Sequence, residues 1–244
     1  MANKLFSRSV VIAVGNPKGG VTKTTDCINL AIYLHQQGLN VAVLDGEELG
    51  GIRTFEYSGI QYPECRFQIM DGFHTDIVKN MPMYKMAFDV ILIDTAGITP
   101  TLSVAGGNSM SQQERVCFQA ISLADFLLVP VNPSPIDVRK TDDFAVTVEK
   151  WHLMRGGALK AAMVLTKYKV GSELERLTVD ALADRWDFMP LMQSKIRDAE
   201  IVKKAFGAGL AVFEFDPKHK VSQEMLAFCE ESVAMLQAHV GVGV

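Results

Sequence analysis

The sequence predicts an α/β fold, a single domain built on a mostly parallel twisted sheet with helices on both faces. Three observations carry that prediction. Short, solid apolar runs of strand length alternate with segments of helical period along the whole chain, the pattern of strands buried on both faces and joined by helical crossovers. Runs that end at Asp45 and Asp94, and one that runs into Asn132, place polar groups at strand ends, where ligands bind in such sheets. The first run, residues 10–14, opens into Gly15-Asn16-Pro17-Lys18-Gly19-Gly20-Val21-Thr22-Lys23-Thr24-Thr25. That is the layout of a phosphate-binding loop, in which backbone N–H groups and a helix N-terminus wrap phosphates, a lysine neutralises them and a hydroxyl holds magnesium.

Taken in order, residues 1–8 form a short lead, and the strand at 10–14 and its loop are followed by a helix over 24–37 with apolar residues at Cys27, Ile28, Leu30, Ala31 and Leu34. Gly38 is its expected left-handed cap. A second buried strand spans 40–44 and ends at Asp45, completing a βαβ unit. Residues 46–66 show no clear period and read as loop with at most a short helix. A short strand is expected at 67–70, then a helix capped by Thr75 that runs to about Met86 and is interrupted at Pro82. Residues 88–94 form a strong strand. The Gly-, Ser-, Thr- and Pro-rich stretch 95–112 reads as a long loop, of the kind that in compact domains is usually functional.

A helix to about Leu123 leads to a strand at 126–131, stopped by Asn132-Pro133-Ser134-Pro135. Helix is expected at 136–154 and strand at 160–166. Ser172 and Glu175 form a capping box for a helix to about Trp186. A short strand at 188–192 and helices at about 198–206 and 222–239 close the pattern, with residues 240–244 fraying. No linker, internal repeat or separate DNA-binding module interrupts it.

Bulk properties exclude several classes. The chain has 244 residues, 24 Lys and Arg, 28 Asp and Glu, and a net charge of −4, so gross charge does not announce a nucleic-acid binder. Residues 155–220 nevertheless hold 12 basic against 9 acidic side chains. Cys27, Cys65, Cys117 and Cys229 are widely spaced and the histidines are not clustered, which argues against a zinc site or disulfide framework and fits a reducing compartment. No apolar stretch approaches the roughly 18 residues of a membrane span, and the stretch before the first strand is too short for a signal peptide. A cytoplasmic location is expected.

The run Lys18-Gly19-Gly20-Val21-Thr22-Lys23-Thr24-Thr25, with Val43-Leu44-Asp45, resembles the deviant Walker A ATPases of the ParA/MinD family, and within it the small ParA proteins that partition plasmids. The resemblance extends through Ile91-Leu92-Ile93-Asp94-Thr95-Ala96-Gly97, Leu128-Val129-Pro130-Val131-Asn132-Pro133-Ser134-Pro135 and Ile196-Arg197-Asp198-Ala199-Glu200, and so covers nearly the whole chain. It implies a P-loop NTPase using ATP/ADP and Mg2+. Gly19, Gly20, Val21, Thr22, Lys23, Thr24 and Thr25 would cradle the phosphates, with Lys23 on the β/γ-phosphates and Thr24 on magnesium. Asp94 would hold magnesium through water, supported by Asp45. Lys18 would reach across a nucleotide-sandwich homodimer to the partner's phosphates, like an arginine finger supplied in trans. Glu47 stands where the family places the carboxylate that orients the attacking water, and Thr166 and Lys167 fall near where it holds the adenine.

Three departures accompany the match. Thr22 replaces the usual glycine, at a cost of roughly 1–3 kcal/mol if the position needs positive φ. Glu47 replaces aspartate, a displacement of about 1 Å that can cost on the order of 10²-fold in rate. Glu48-Leu49 replaces the family's Pro-Gln. The resemblance also implies non-specific DNA binding through Arg197 with Lys195, Lys203, Lys204, Lys218 and Lys220 nearby, a nucleoid-associated location, and a partition or adaptor protein that stimulates hydrolysis. The last helix carries Glu224, Glu230 and Glu231 and no Lys or Arg over 222–239, unlike the basic membrane helix of the MinD branch, so no membrane attachment is expected. Two functions follow: a slow ATPase that dimerises with ATP to position plasmid DNA, or a nucleotide-binding scaffold with little hydrolysis acting in plasmid stability or conjugation. A third, a metabolic P-loop ligase, has no further substrate motif in its favour.

Overall fold

The computed structural model describes residues 5–48, 50–58, 67–98 and 110–242. Their order is β1 (Val10–Val14), α1 (Lys23–Gln36), β2 (Val41–Asp45), α2 (Gly51–Ser58), β3 (Gln68–Asp71), α3 (Ile77–Ala87), β4 (Val90–Asp94), α4 (Gln112–Leu123), β5 (Phe126–Val131), α5 (Pro135–Met154), β6 (Lys160–Tyr168), α6 (Glu173–Leu182), β7 (Leu191–Arg197), α7 (Glu200–Gly207), α8 (Val212–Phe215) and α9 (Lys220–Val240). The seven strands form one sheet in the order β3-β2-β4-β1-β5-β6-β7, and every pairing is parallel. The expected architecture is the observed one.

The solid apolar runs work because each strand feeds two cores. In β1, Val10, Ile12 and Val14 pack into the layer containing α1, α8 and α9, while Val11 and Ala13 pack into the layer containing α3, α4 and α5. Alternate side chains of a strand point to opposite faces, so all five must be apolar. Phe228 anchors the first layer and Phe144 the second, both buried, each burial contributing about 1.5–3 kcal/mol. The apolar face of α9 (Val221, Met225, Phe228, Leu236) is spent on this core, as expected for a packing helix. Among the described residues, no helix is long and apolar enough to cross a membrane.

Several local expectations are corrected. Pro82 lies inside α3 without ending it, and Asp76, not Thr75, caps that helix, accepting from the Lys79 N–H. Pro82 and Val78, whose carbonyl the missing N–H leaves free, are exposed, so water can take the bond. Pro130 sits within the central strand β5, but β1 has already ended alongside it, and its carbonyl accepts from Asn16 Nδ2 at 2.7 Å. Ser172 caps α6 through the Glu175 N–H, yet the Glu175 carboxylate turns to the Gly171 N–H and Lys195 instead of closing a box. Helix α6 ends at Leu182, and β7 spans Leu191–Arg197 in place of the expected 188–192. Cys65 and most of the expected loop 95–112 lie outside the described residues.

Before the start of β1, at the end of the strands away from the loop, the Ser7 N–H donates to the Gly241 carbonyl at 3.1 Å, the Ser7 hydroxyl to the Val240 carbonyl, and Gln237 Nε2 to the Leu5 carbonyl at 3.0 Å. Arg8 nearby makes a two-toothed ion pair with Asp125.

Candidate nucleotide site

The sheet order changes direction around β1, and the loop that leaves β1 lies over the ends of β4, β5 and β6. Each neighbour holds it. The Gly15 N–H donates to the Leu128 carbonyl at 3.0 Å, Asn16 bridges the Pro130 carbonyl and the Lys18 N–H, and Thr166 Oγ1 reaches the Val21 carbonyl at 3.3 Å and Asn132 Oδ1 at 3.2 Å. Gly97, past the end of β4, lies so close that a Cβ there would come within 2.7 Å of the Gly19 nitrogen. Gly20 and Thr22 both adopt left-handed backbone conformations, φ 76° and 74°. For Thr22 this is the strained geometry feared from its sequence position.

Two lysines converge on this loop. Lys23, at the start of α1 and 5% exposed, donates from Nζ to the Lys18 carbonyl at 3.0 Å. Burial lowers its pKa, opposed by Asp94 and Glu47. Lys18 is paired with Asp137 in the first turn of α5, a partner 119 positions away that no motif marks. The Asp137 carboxylate is buried and has no hydrogen-bond donor besides that lysine among the described residues.

The acidic side is equally well formed. Asp45 and Asp94 are adjacent in register at the ends of β2 and β4. Thr24 Oγ1 donates to Asp94 Oδ2 at 2.6 Å, while Asp94 Oδ1 is buried without a partner among the described residues. Burial pushes the Asp94 carboxyl up to about 7, against the Thr24 hydrogen bond and with the help of nearby Glu47. Asp45 accepts from the Glu47 N–H at 3.2 Å, and Arg53 of α2 approaches its other oxygen at 3.9 Å. Burial raises the Glu47 pKa, opposed by Lys23.

An orphaned, buried carboxylate oxygen beside a threonine hydroxyl fits a hard divalent cation. Among the described residues no group of three or more His, Cys, Asp or Glu side chains is placed to hold a metal by itself. Phosphate and water oxygens would have to complete the shell.

A cleft of about 300 Å³ runs from Gly19, Gly20, Thr24 and Thr25 past Glu47 to an apolar wall of Ile196, Ala199, Val202 and Met225. Of the two residues expected near the adenine, Thr166 is buried behind the loop, while Lys167, whose Nζ bonds the Gly20 carbonyl at 2.7 Å, lines this cleft; its apolar wall belongs to β7, α7 and α9. Asp26, also missed, lines the same cleft at the foot of α1.

The basic residues expected on DNA do not stand free as a group. Arg197 donates from Nε to Glu224 Oε1 at 2.7 Å and from its backbone N–H to Oε2 at 2.9 Å. Lys195 pairs with Glu175 at 2.9 Å, and Lys204 with Glu200 at 3.4 Å. Lys203, Lys218 and Lys220 are exposed.

A seven-stranded parallel sheet carrying this two-lysine loop at its switch point is a P-loop NTPase fold of the MinD/ParA type. Comparison with known proteins agrees. A family described as AAA domain matches residues 9–54. The maintenance of carboxysome distribution protein A of Halothiobacillus neapolitanus is 26% identical over 216 residues, 87% of this chain and 89% of that protein. Among solved structures, the septum site-determining protein MinD of Pyrococcus horikoshii, complexed with Mg-ADP, superposes with a TM-score of 0.67 at 16% identity, covering 91% of this chain and 95% of that one. A putative plasmid partition protein of Borrelia burgdorferi bound to AMPPNP gives 0.67 at 16% identity, covering 93% and 99%. The likeness to the ParA/MinD family seen in the motifs is thus matched in relatives and in fold.

Proposed function

We propose that this chain is a dimerising switch of the ParA type that binds ATP with Mg2+, hydrolyses it slowly and positions a cargo, plasmid DNA being the one its motifs resemble most. The observation that carries the reading is the meeting of Lys18, Lys23, Thr24 and Asp94 around one loop. Two lysines and a buried aspartate are costly to hold together without an anion and a cation to bind. The relatives' names point the same way, since they speak of carboxysome distribution, septum-site determination and plasmid partition.

In this reading Gly19, Gly20, Val21, Thr22 and Thr25 offer the phosphates backbone N–H groups and the start of α1. Lys23 exchanges the Lys18 carbonyl for the β/γ-phosphates. Thr24 and Asp94, with Asp45 in support, would hold Mg2+, which supplies charge neutralisation on the phosphates. Glu47 orients the attacking water. The base rests against Ile196 and Met225 in the cleft that Lys167 also lines, with Thr166 supporting the loop from behind. Lys18 must leave Asp137 before it can serve a partner subunit. Oligomeric state with ATP, with ADP and without nucleotide tests this, for wild type and Lys18→Ala. A dimer that needs ATP and disappears with the lysine is expected; a dimer indifferent to both defeats the reading.

DNA binding rests on Lys203, Lys204, Lys218 and Lys220, with Lys195 and Arg197 contributing once their acidic partners let go. Charge reversal of Lys203 and Lys204 should weaken a low-salt gel shift, where phosphate contacts are strongest; unchanged binding would remove these two from the interface. A cytoplasmic, nucleoid-associated location and a hydrolysis-stimulating adaptor protein belong to the same proposal. The second reading, a scaffold with little turnover, is favoured by the left-handed Thr22 and by Glu47. Single-turnover hydrolysis beside Glu47→Asp separates the two: a large gain over an inactive wild type supports the scaffold.

A further inference from the structure

We propose that Asp26 and Thr22 act as one unit that fixes the shape of the phosphate loop, Asp26 being a positioning residue for the bound nucleotide's phosphates. The inference rests on the nucleotide-binding reading above and adds a residue to it that no motif marks.

Thr22 stands at the N-cap of α1, where a threonine side chain ordinarily accepts from a helix N–H two or three residues on. It makes no such bond, because its backbone is left-handed, at φ 74° and ψ 6°. A side chain bearing a branched Cβ resists that conformation, so something must hold it there. The Thr22 hydroxyl lies 2.7 Å from Asp26 Oδ2, one turn along the helix, and also contacts the Val21 carbonyl. Residues four apart share a helix face, which lets Asp26 reach back to the residue that needs restraint.

Asp26 itself is an unusual tenant. It is fully buried, its Oδ1 has no partner among the described residues, and it lines the cleft with Thr22 and Thr25. A buried carboxyl group with half its hydrogen-bonding capacity unused is a net cost to the fold. Packing alone would be served better by an apolar side chain at the same place. The bond to Thr22 is what the carboxyl group achieves there.

The consequence for the ligand is geometric. An anion cradle works because successive loop N–H groups converge, and their directions depend on the dihedrals at Gly20 and Thr22. Were Thr22 to relax to negative φ, the peptides on either side would rotate and the convergence would be lost. Glycine at this position reaches positive φ without a brace. Threonine reaches it here with Asp26 as the brace.

The test is a double-mutant cycle read by titration of a fluorescent ATP analogue with Mg2+, alongside thermal unfolding of each variant. Asp26→Ala should weaken binding about tenfold, in line with loss of a hydrogen bond that restrains a strained residue. Asp26→Asn, which keeps the shape and a polar group, should recover to within about threefold of wild type. In a Thr22→Gly background the same Asp26→Ala change should cost less than about twofold, because glycine needs no brace. Equal losses in the two backgrounds, or wild-type affinity in Asp26→Ala, overturn the pairing while leaving the nucleotide site intact. A wild type that binds no nucleotide overturns both. If Asp26→Ala fails to fold, the comparison of Thr22→Gly with Thr22→Gly/Asp26→Ala still decides.

Discussion

Removing Lys18 should destabilise the nucleotide-free chain, quite apart from anything it does to a dimer. Asp137 is 2% exposed, and both its oxygens lack hydrogen-bond donors among the described residues apart from the ion pair with Lys18. Taking away one member of a fully buried pair costs about 3–5 kcal/mol, because the other charge is left uncompensated. Here the Lys18 side chain is 33% exposed, so water already screens part of the pair, and the aspartate sits in the first turn of α5, where helix polarity favours it. A loss of about 1–3 kcal/mol in Lys18→Ala is expected, or roughly 2–12 °C in Tm for a chain of this size. Thermal unfolding followed by circular dichroism, without nucleotide, measures it. Asp137→Asn combined with Lys18→Ala should regain most of the loss, since no buried charge is then stranded. A Tm for Lys18→Ala within about 1 °C of wild type, or a double variant no better than the single one, refutes the argument. The double variant is also the fair comparison in the dimer experiment, because it removes the lysine proposed to act in trans while restoring most of the stability of the fold.

Three further outcomes follow from the same geometry. Gly97→Ala should lower nucleotide affinity by about tenfold or more in an equilibrium titration, because its Cβ would press on the loop backbone within 2.7 Å of the Gly19 nitrogen; unaltered affinity would show that the loop can yield. Cys27, Cys117 and Cys229 are buried, with burial holding the Cys117 thiol up to about 11 and the other two well above their usual value, so at pH 8 a thiol reagent should modify none of the three in the native chain, as peptide mapping can check. Burial acts to raise the Glu224 carboxyl, but the hydrogen bonds from Arg197 and Tyr168 prevail and hold it below its usual range. Its stabilising effect is therefore complete above about pH 4.5 and lost as pH falls through the lower folded value, so Glu224→Gln should flatten the acid limb of the stability curve relative to wild type.

What the sequence revealed and what it hid divide along physical lines. The sheet was legible because strands buried on both faces leave solid apolar runs, as in Val10-Val11-Ile12-Ala13-Val14, and the loop was legible because glycine, lysine and threonine spacing is local. Strand β7 was misplaced because only Met192 and Ile196 are buried along it; Gln193, Ser194 and Lys195 mask the alternation at the sheet edge. Lys18 with Asp137 and Arg197 with Glu224 join residues far apart in the chain, and no periodicity reports such a meeting. Asp26 was visible as a letter, yet it read as an ordinary acidic residue near a helix start, where acids are common. Only its burial and its bond to Thr22 set it apart.

The stitching of residues 5–7 to residues 237–241 brings two ends of the described chain side by side, at the opposite pole of the sheet from the nucleotide cleft. Segments held this close can be bridged by a short flexible tether, and the turn around Gly156 and Gly157 is then a place where the chain can be opened. A fluorophore or affinity handle fixed at the junction would ride on the far pole. It would leave the loop face, which the proposed dimer uses, unobstructed, and would report the approach of a second copy by energy transfer.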